Sequence, residues 1–145
     1  MSNSYERVYT VTDYWDGPIG GVADFKGAPH RYQAEFDTAA DEYSSVFRLQ
    51  PIPQEVFGLL LEDWAIWQRW ETAFRKGAAS HDTRPALPSD RRRHEEVVMR
   101  IVELEKSDSS WPVRVSGTFR LLPKRVASED AARSFEVQWG EVKDA

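Results

Sequence analysis

Asp63 is the residue whose position most demands a chemical explanation. In the run Leu59-Leu60-Leu61-Glu62-Asp63-Trp64-Ala65-Ile66-Trp67 its helical-wheel direction falls inside an apolar stripe, between Trp67 and Trp70 and near Leu59 and Phe74. A carboxylate isolated there costs several kcal/mol or keeps its proton, so it requires a partner. If that partner is a tryptophan indole, an arginine on a facing strand or backbone donors, Asp63 fastens the helix in place. In an aromatic-walled cleft it would instead serve as a general acid or base.

The three histidines are the other groups able to do proton or metal chemistry. His30 lies on the apolar side of an alternating run beside Tyr32, where a lone imidazole is most simply a hydrogen-bonded core or edge residue. His81 and Asp82 fall in a loop, and His94 precedes Val97 and Val98 by three and four residues on a second amphipathic segment. Asp63 with His30 or His94 is the one combination that would make a small enzyme or a metal-binding protein. Nothing in the spacing requires that convergence, so neither a catalytic residue nor a metal ligand is assigned and no cofactor is expected.

The remaining motifs are weaker. Asp37, Asp41 and Glu42 lack the alternating ligands, central glycine and terminal glutamate of a calcium loop, and read as a solvated turn. Asp13 and Asp16 are turn residues, with Asp16 bonding its own backbone, but Tyr14 and Trp15 set two large rings beside an exposed turn, a composition used in recognition. Gly17-Pro18-Ile19-Gly20-Gly21 has neither the spacing nor the lysine of a phosphate cradle, and Ser116 lies within a strand pattern, not at a nucleophile elbow. With no cysteine in the chain, thiolate zinc sites and cysteine nucleophiles are excluded.

These groups must be positioned by elements that the periodicity predicts. Strands are expected over Tyr5 to Trp15, Ile19 to Phe25, a run around His30 to Phe36, and Tyr43 to Leu49, joined by Asp16-Gly17-Pro18, by a Lys26-Gly27 hairpin and by the acidic stretch Asp37 to Glu42. Pro51-Ile52-Pro53 marks the change to helical spacing, and a long helix is predicted from about Pro53 to Lys76, ending before Gly77. Its stripe holds Val56, Leu59, Leu60, Trp64, Ile66, Trp67, Trp70 and Phe74, with Gly58, Glu62, Ala65, Arg69, Thr72 and Lys76 opposite. After a proline-bearing loop, Ser89 or Asp90 caps a second helix carrying Val97, Val98, Ile101, Val102 and Leu104; a β-branched strand is the rival reading. Strands over Val113 to Leu121 and from Phe135 through Trp139 complete the chain, separated by a loop over Leu122 to Arg133.

Length and charge bound the rest. With 145 residues, residues 1–145 are expected to make a single globular α+β domain. Its antiparallel sheet of five or six strands would carry the tryptophan-rich helix across one face, with the shorter helix packed on it. A net charge of −5 opposes polyanions, and Arg91-Arg92-Arg93-His94 is followed at once by Glu95-Glu96, so nucleic acid is not expected as a partner and a solvated helix face is. The N-terminus lacks a signal-peptide pattern and no apolar run reaches the ~18 residues of a membrane span, which gives a cytoplasmic location as the default expectation. The functional expectation is a binding or regulatory module that takes a protein, a small ligand or a second copy of itself through an aromatic-lined groove between helix and sheet. Asp63, Trp67, Trp70, Tyr14 and Trp15 are its candidate contact residues.

Overall fold

The structure, a computed structural model, describes residues 4–105, 110–122 and 134–142. Its elements follow the order β1 (Glu6–Tyr14), β2 (Pro18–Phe25), β3 (Ala28–Asp37), β4 (Glu42–Pro51), α1 (Gln54–Arg75), α2 (Arg91–Leu104), β5 (Val113–Leu121) and β6 (Phe135–Gly140), with a short 3-10 turn at His81–Thr83. They fall into two compact units, residues 1–52 with 110–145 and residues 53–109.

The first unit is an antiparallel meander that closes on itself. Each strand pairs with its sequence neighbour, and β6 returns to β1 through Glu6↔Val137 and Arg7↔Glu136. The expected antiparallel sheet is present with six strands, and it closes as a barrel, which the sequence reading did not anticipate. Its inner face is filled by its own strands: Ile19, Ala23, Tyr32, Ala34, Phe47, Leu49 and Val137 form the buried cluster, with Phe119 and Trp139 packed against it. A barrel this narrow has room for side chains but not for a through-channel. Tyr32, Phe47, Phe119 and Trp139 meet there with ring centroids 5.2–6.2 Å apart. Their polar atoms are satisfied: the Tyr32 hydroxyl donates to the Thr10 carbonyl at 2.9 Å and the Trp139 indole to that of Asp24 at 2.8 Å. Burial pushes the Tyr32 phenol far above its ordinary range.

Two glycines allow this crowding. A Cβ at Gly117 would stand 2.6 Å from Trp139 and 2.9 Å from Phe47, and one at Gly21, whose φ is +157°, would stand 2.2 Å from the Thr10 carbonyl oxygen.

In the second unit α1 and α2 pack as a helical hairpin. The strand alternative for the valine-rich segment is set aside: Arg91–Leu104 is helix, and Val97 is its one fully buried residue. Asp90 is the N-cap by position, but its carboxylate makes no capping bond and instead receives the Arg69 guanidinium at 2.8 and 3.0 Å. Of the residues set opposite the apolar stripe of α1, Glu62 and Arg69 reach α2 and its N-cap. Glu55 pairs with Arg100, Glu62 with Arg93 and Arg69 with Asp90, so the hairpin is laced by complementary charge. Of the apolar stripe, Val56, Ile66 and Trp70 are buried while Phe74 is exposed. The aromatic residues stack locally, Trp64 on Trp67 at 4.9 Å and Trp70 on Phe74 at 5.0 Å.

Candidate functional site

The five contact candidates divide between the two units. In the helical hairpin, Asp63 has the partner its position demands. Its Oδ1 lies 2.6 Å from Nδ1 of His94, with the side chains 31% and 17% exposed. None of the three anticipated donors fills the role; the second helix supplies an imidazole. His30, the other histidine considered, has its Nδ1 2.7 Å from the Ala28 carbonyl and its ring edge-on to Phe25, which makes it a satisfied barrel residue. Trp70 is buried, its indole donating to Thr83 Oγ1 at 2.9 Å, and Trp67 is half-buried against Trp64. The arginine run is likewise engaged: Arg91 donates to the Thr83 and Ala86 carbonyls and Arg93 binds Glu62. Among the described residues no cluster of three or more His, Asp or Glu side chains is placed to hold a metal ion.

In the barrel, Tyr14 and Trp15 stand at an open end, 54% and 73% exposed. This end carries the β1–β2, β3–β4 and β5–β6 connections. A depression of about 400 Å³ sits in it, within the range of small-ligand sites. Five aromatic rings line it: Trp15 from the β1–β2 turn, Tyr43 and Phe47 from β4, Phe119 from β5 and Phe135 from β6. Tyr14 stays beside it, its ring 6.4 Å from that of Phe135.

Local irregularity shapes this mouth. The β1–β2 turn holds Asp16 at φ 54° and is tied by the Trp15 N–H to the Gly17 carbonyl at 2.9 Å, with the Trp15 side chain exposed. On the other side, the β3–β4 register passes from Ala34↔Phe47 to Phe36↔Tyr43, so three β4 residues, Ser44 to Val46, stand opposite Glu35 alone. Such a bulge bends its strand and re-aims side chains. Ser44 Oγ accepts the Val46 N–H at 3.1 Å inside the bulge, and both Ser44 and Ser45 line the depression. Phe36 braces the Tyr43 ring edge-on at 5.1 Å. Arg120 also reaches the rim, but its guanidinium is bound to Glu136 and stacked 3.6 Å over the Tyr5 ring, so its charge is largely neutralised.

Tyr43, Phe47, Phe119 and Phe135 were invisible as site residues in the sequence, where each reads as one member of a strand. Only barrel closure brings β4, β5 and β6 around the β1–β2 turn. Comparison with known protein families, curated proteins and solved structures finds no match for this chain. No helix among the described residues is long and apolar enough to cross a membrane.

Proposed function

We propose that the protein is a binding module that takes a small, ring-bearing ligand in the mouth of its barrel. The observation that carries this reading is the depression of about 400 Å³ lined by five aromatic rings, one of them the exposed Trp15. Trp15 and Tyr43 are exposed over the buried Phe47 and Phe135, and an apolar concavity with a few polar groups at its edge is the usual form of a ligand site. The interior behind it is packed, so the ligand rests on the Phe47–Phe119 pair, whose rings are 5.4 Å apart, and does not enter the barrel.

The test is amide chemical-shift mapping with 4-tert-butylphenol as a single-ring probe. Shifts confined to the β1–β2 turn, the β4 bulge and β6 are expected, and Trp15→Ala should weaken the probe by about tenfold, as loss of an aromatic anchor does. Because Trp15 is largely exposed, the variant should keep the parent's melting temperature to within a degree or two. Shifts scattered outside the mouth would overturn the reading.

A second reading rests on the Asp63–His94 contact, since a carboxylate bound to one imidazole nitrogen is how acid–base pairs are oriented. The same contact belongs to a series of interhelical pairs running from Glu55–Arg100 to Arg69–Asp90. That setting supports a fastening role, and ligand binding at the barrel mouth stands as the functional reading.

A further inference from the structure

The rim of the barrel mouth has a marked charge bias. Asp16 lines the depression, and the same end of the barrel carries Asp13, Asp37, Asp41 and Glu42. The one basic residue among the described residues lining the depression is Arg120, already held by Glu136. Residues 123–133 lie outside the described residues. Among the described residues lining the depression, an anionic ligand would meet Asp16 and no cation other than the Glu136-bound Arg120.

Aromatic rings add to the same preference. A ring face is the negative part of its quadrupole and attracts organic cations, most strongly for tryptophan, and such cations shed water more easily than a metal ion. The exposed Trp15 and Tyr43, lining a depression that also bears Asp16, put two aromatic rings and a formal negative charge around one guest. Asp37 is less available than Asp16, since its Oδ1 accepts the Ala39 and Ala40 N–H groups at 3.0 and 3.2 Å.

We infer that the ligand of the barrel mouth is an organic cation, an alkylated or quaternary ammonium group seated against Trp15 and Tyr43 with Asp16 as its counter-charge. This inference rests on the mouth being a ligand site and adds the chemical class of the ligand.

Three probes of nearly one shape separate the two ideas: 4-(trimethylammonio)phenol, its neutral isostere 4-tert-butylphenol, and the anion 4-hydroxybenzenesulfonate. Each is titrated into the full chain and followed by amide shifts. The cation is expected to bind the mouth about tenfold more tightly than the neutral isostere. The anion should give no shifts there. In Asp16→Asn the preference for the cation should narrow by about threefold, and added salt should narrow it in the parent, because an exposed counter-charge is screened. Equal or tighter binding of the neutral probe or the anion at the mouth would overturn the inference while leaving the ligand site standing. Failure of all three probes to shift the mouth would overturn both. A cation preference unchanged in Asp16→Asn and insensitive to salt would remove Asp16 from the assignment and overturn the inference as stated.

Discussion

A partly buried carboxylate is held to one geometry by a single imidazole at Asp63, and that pairing has a measurable stability. Both side chains keep some contact with water, so the pair has neither the full cost of burying charges nor their full attraction. Asp63→Asn keeps a hydrogen-bonding group but removes the charge, and it should lower the stability of the hairpin by about 1 kcal/mol, read from the helical circular dichroism signal in urea. A double-mutant cycle with His94→Gln should return most of that loss as coupling energy. Full stability in Asp63→Asn would refute the fastening role and return the pair to consideration as a reactive dyad. The need for a partner was legible from Asp63's place in an apolar stripe. The partner's identity was not, because an imidazole thirty-one positions away leaves no local trace. Tyr14 and Trp15 were legible as exposed rings because they abut an Asp-Gly-Pro turn, whereas Phe119 and Phe135 look like any inward strand residue until their neighbours are known.

At the scale of elements, charge lacing recurs on the outside of the barrel. Glu35 of β3 receives Arg114 of β5 at 2.8 and 3.0 Å and Arg48 of β4 at 3.0 Å, bridging three adjacent strands. The hydrogen bond from Arg114 holds the Glu35 carboxyl below its ordinary range against a smaller opposing effect of burial, and Arg48 adds to the lowering. A carboxyl lowered in the folded state contributes stability above its unfolded pKa of about 4.5 and loses it as pH falls through the lower folded value. Glu35→Gln should therefore be less stable than the parent at about pH 6, with the difference closing by about pH 3. The near-ultraviolet dichroism of the buried aromatic cluster is the reporter for thermal melts, and a gap that persists or widens in acid would contradict the assignment. Glu62 and Asp90 are lowered by Arg93 and Arg69, so acid should loosen the helical hairpin in the same direction. Strand and helix limits were legible to within a residue or two where period and punctuation agreed. Lys26 and Gly27, with φ 53° and 77°, make the expected hairpin, and α1 ends just before Gly77. The pairing of Glu62 and Arg69 with α2 was not legible, because a wheel shows which side of α1 is charged and not whether a second, oppositely charged helix lies against it.

For the molecule as a whole, the decisive feature is where residues 53–109 enter the chain. β4 and β5 are hydrogen-bonded neighbours, with Leu49 opposite Val113, so this segment is an insertion between two strands that a short turn could join. The buried cluster of the barrel draws on none of it. Replacing residues 53–109 by a short Gly/Asn-rich turn should leave a folded barrel that keeps the dispersed amide spectrum of β1–β6 and still binds the ring probe at its mouth. A collapsed spectrum would show that the barrel needs the insertion to fold. Closure itself was not legible in the sequence. The β1–β6 ladder has only two matched pairs, Glu6↔Val137 and Arg7↔Glu136, and nothing local at either end announces the other.

That same insertion sets an order of events during folding. Strands β1 to β4 are joined by tight turns and meet at little entropic cost, whereas β5 can reach β4 only after the whole intervening segment has been looped out. A helical hairpin that forms first shortens the effective loop by drawing its ends together. β6 must then find β1 across nearly the full length of the chain. Until it does, both of those strands present unpaired edges, so the interval before the last ladder forms is when this protein is most exposed to pairing with the wrong chain.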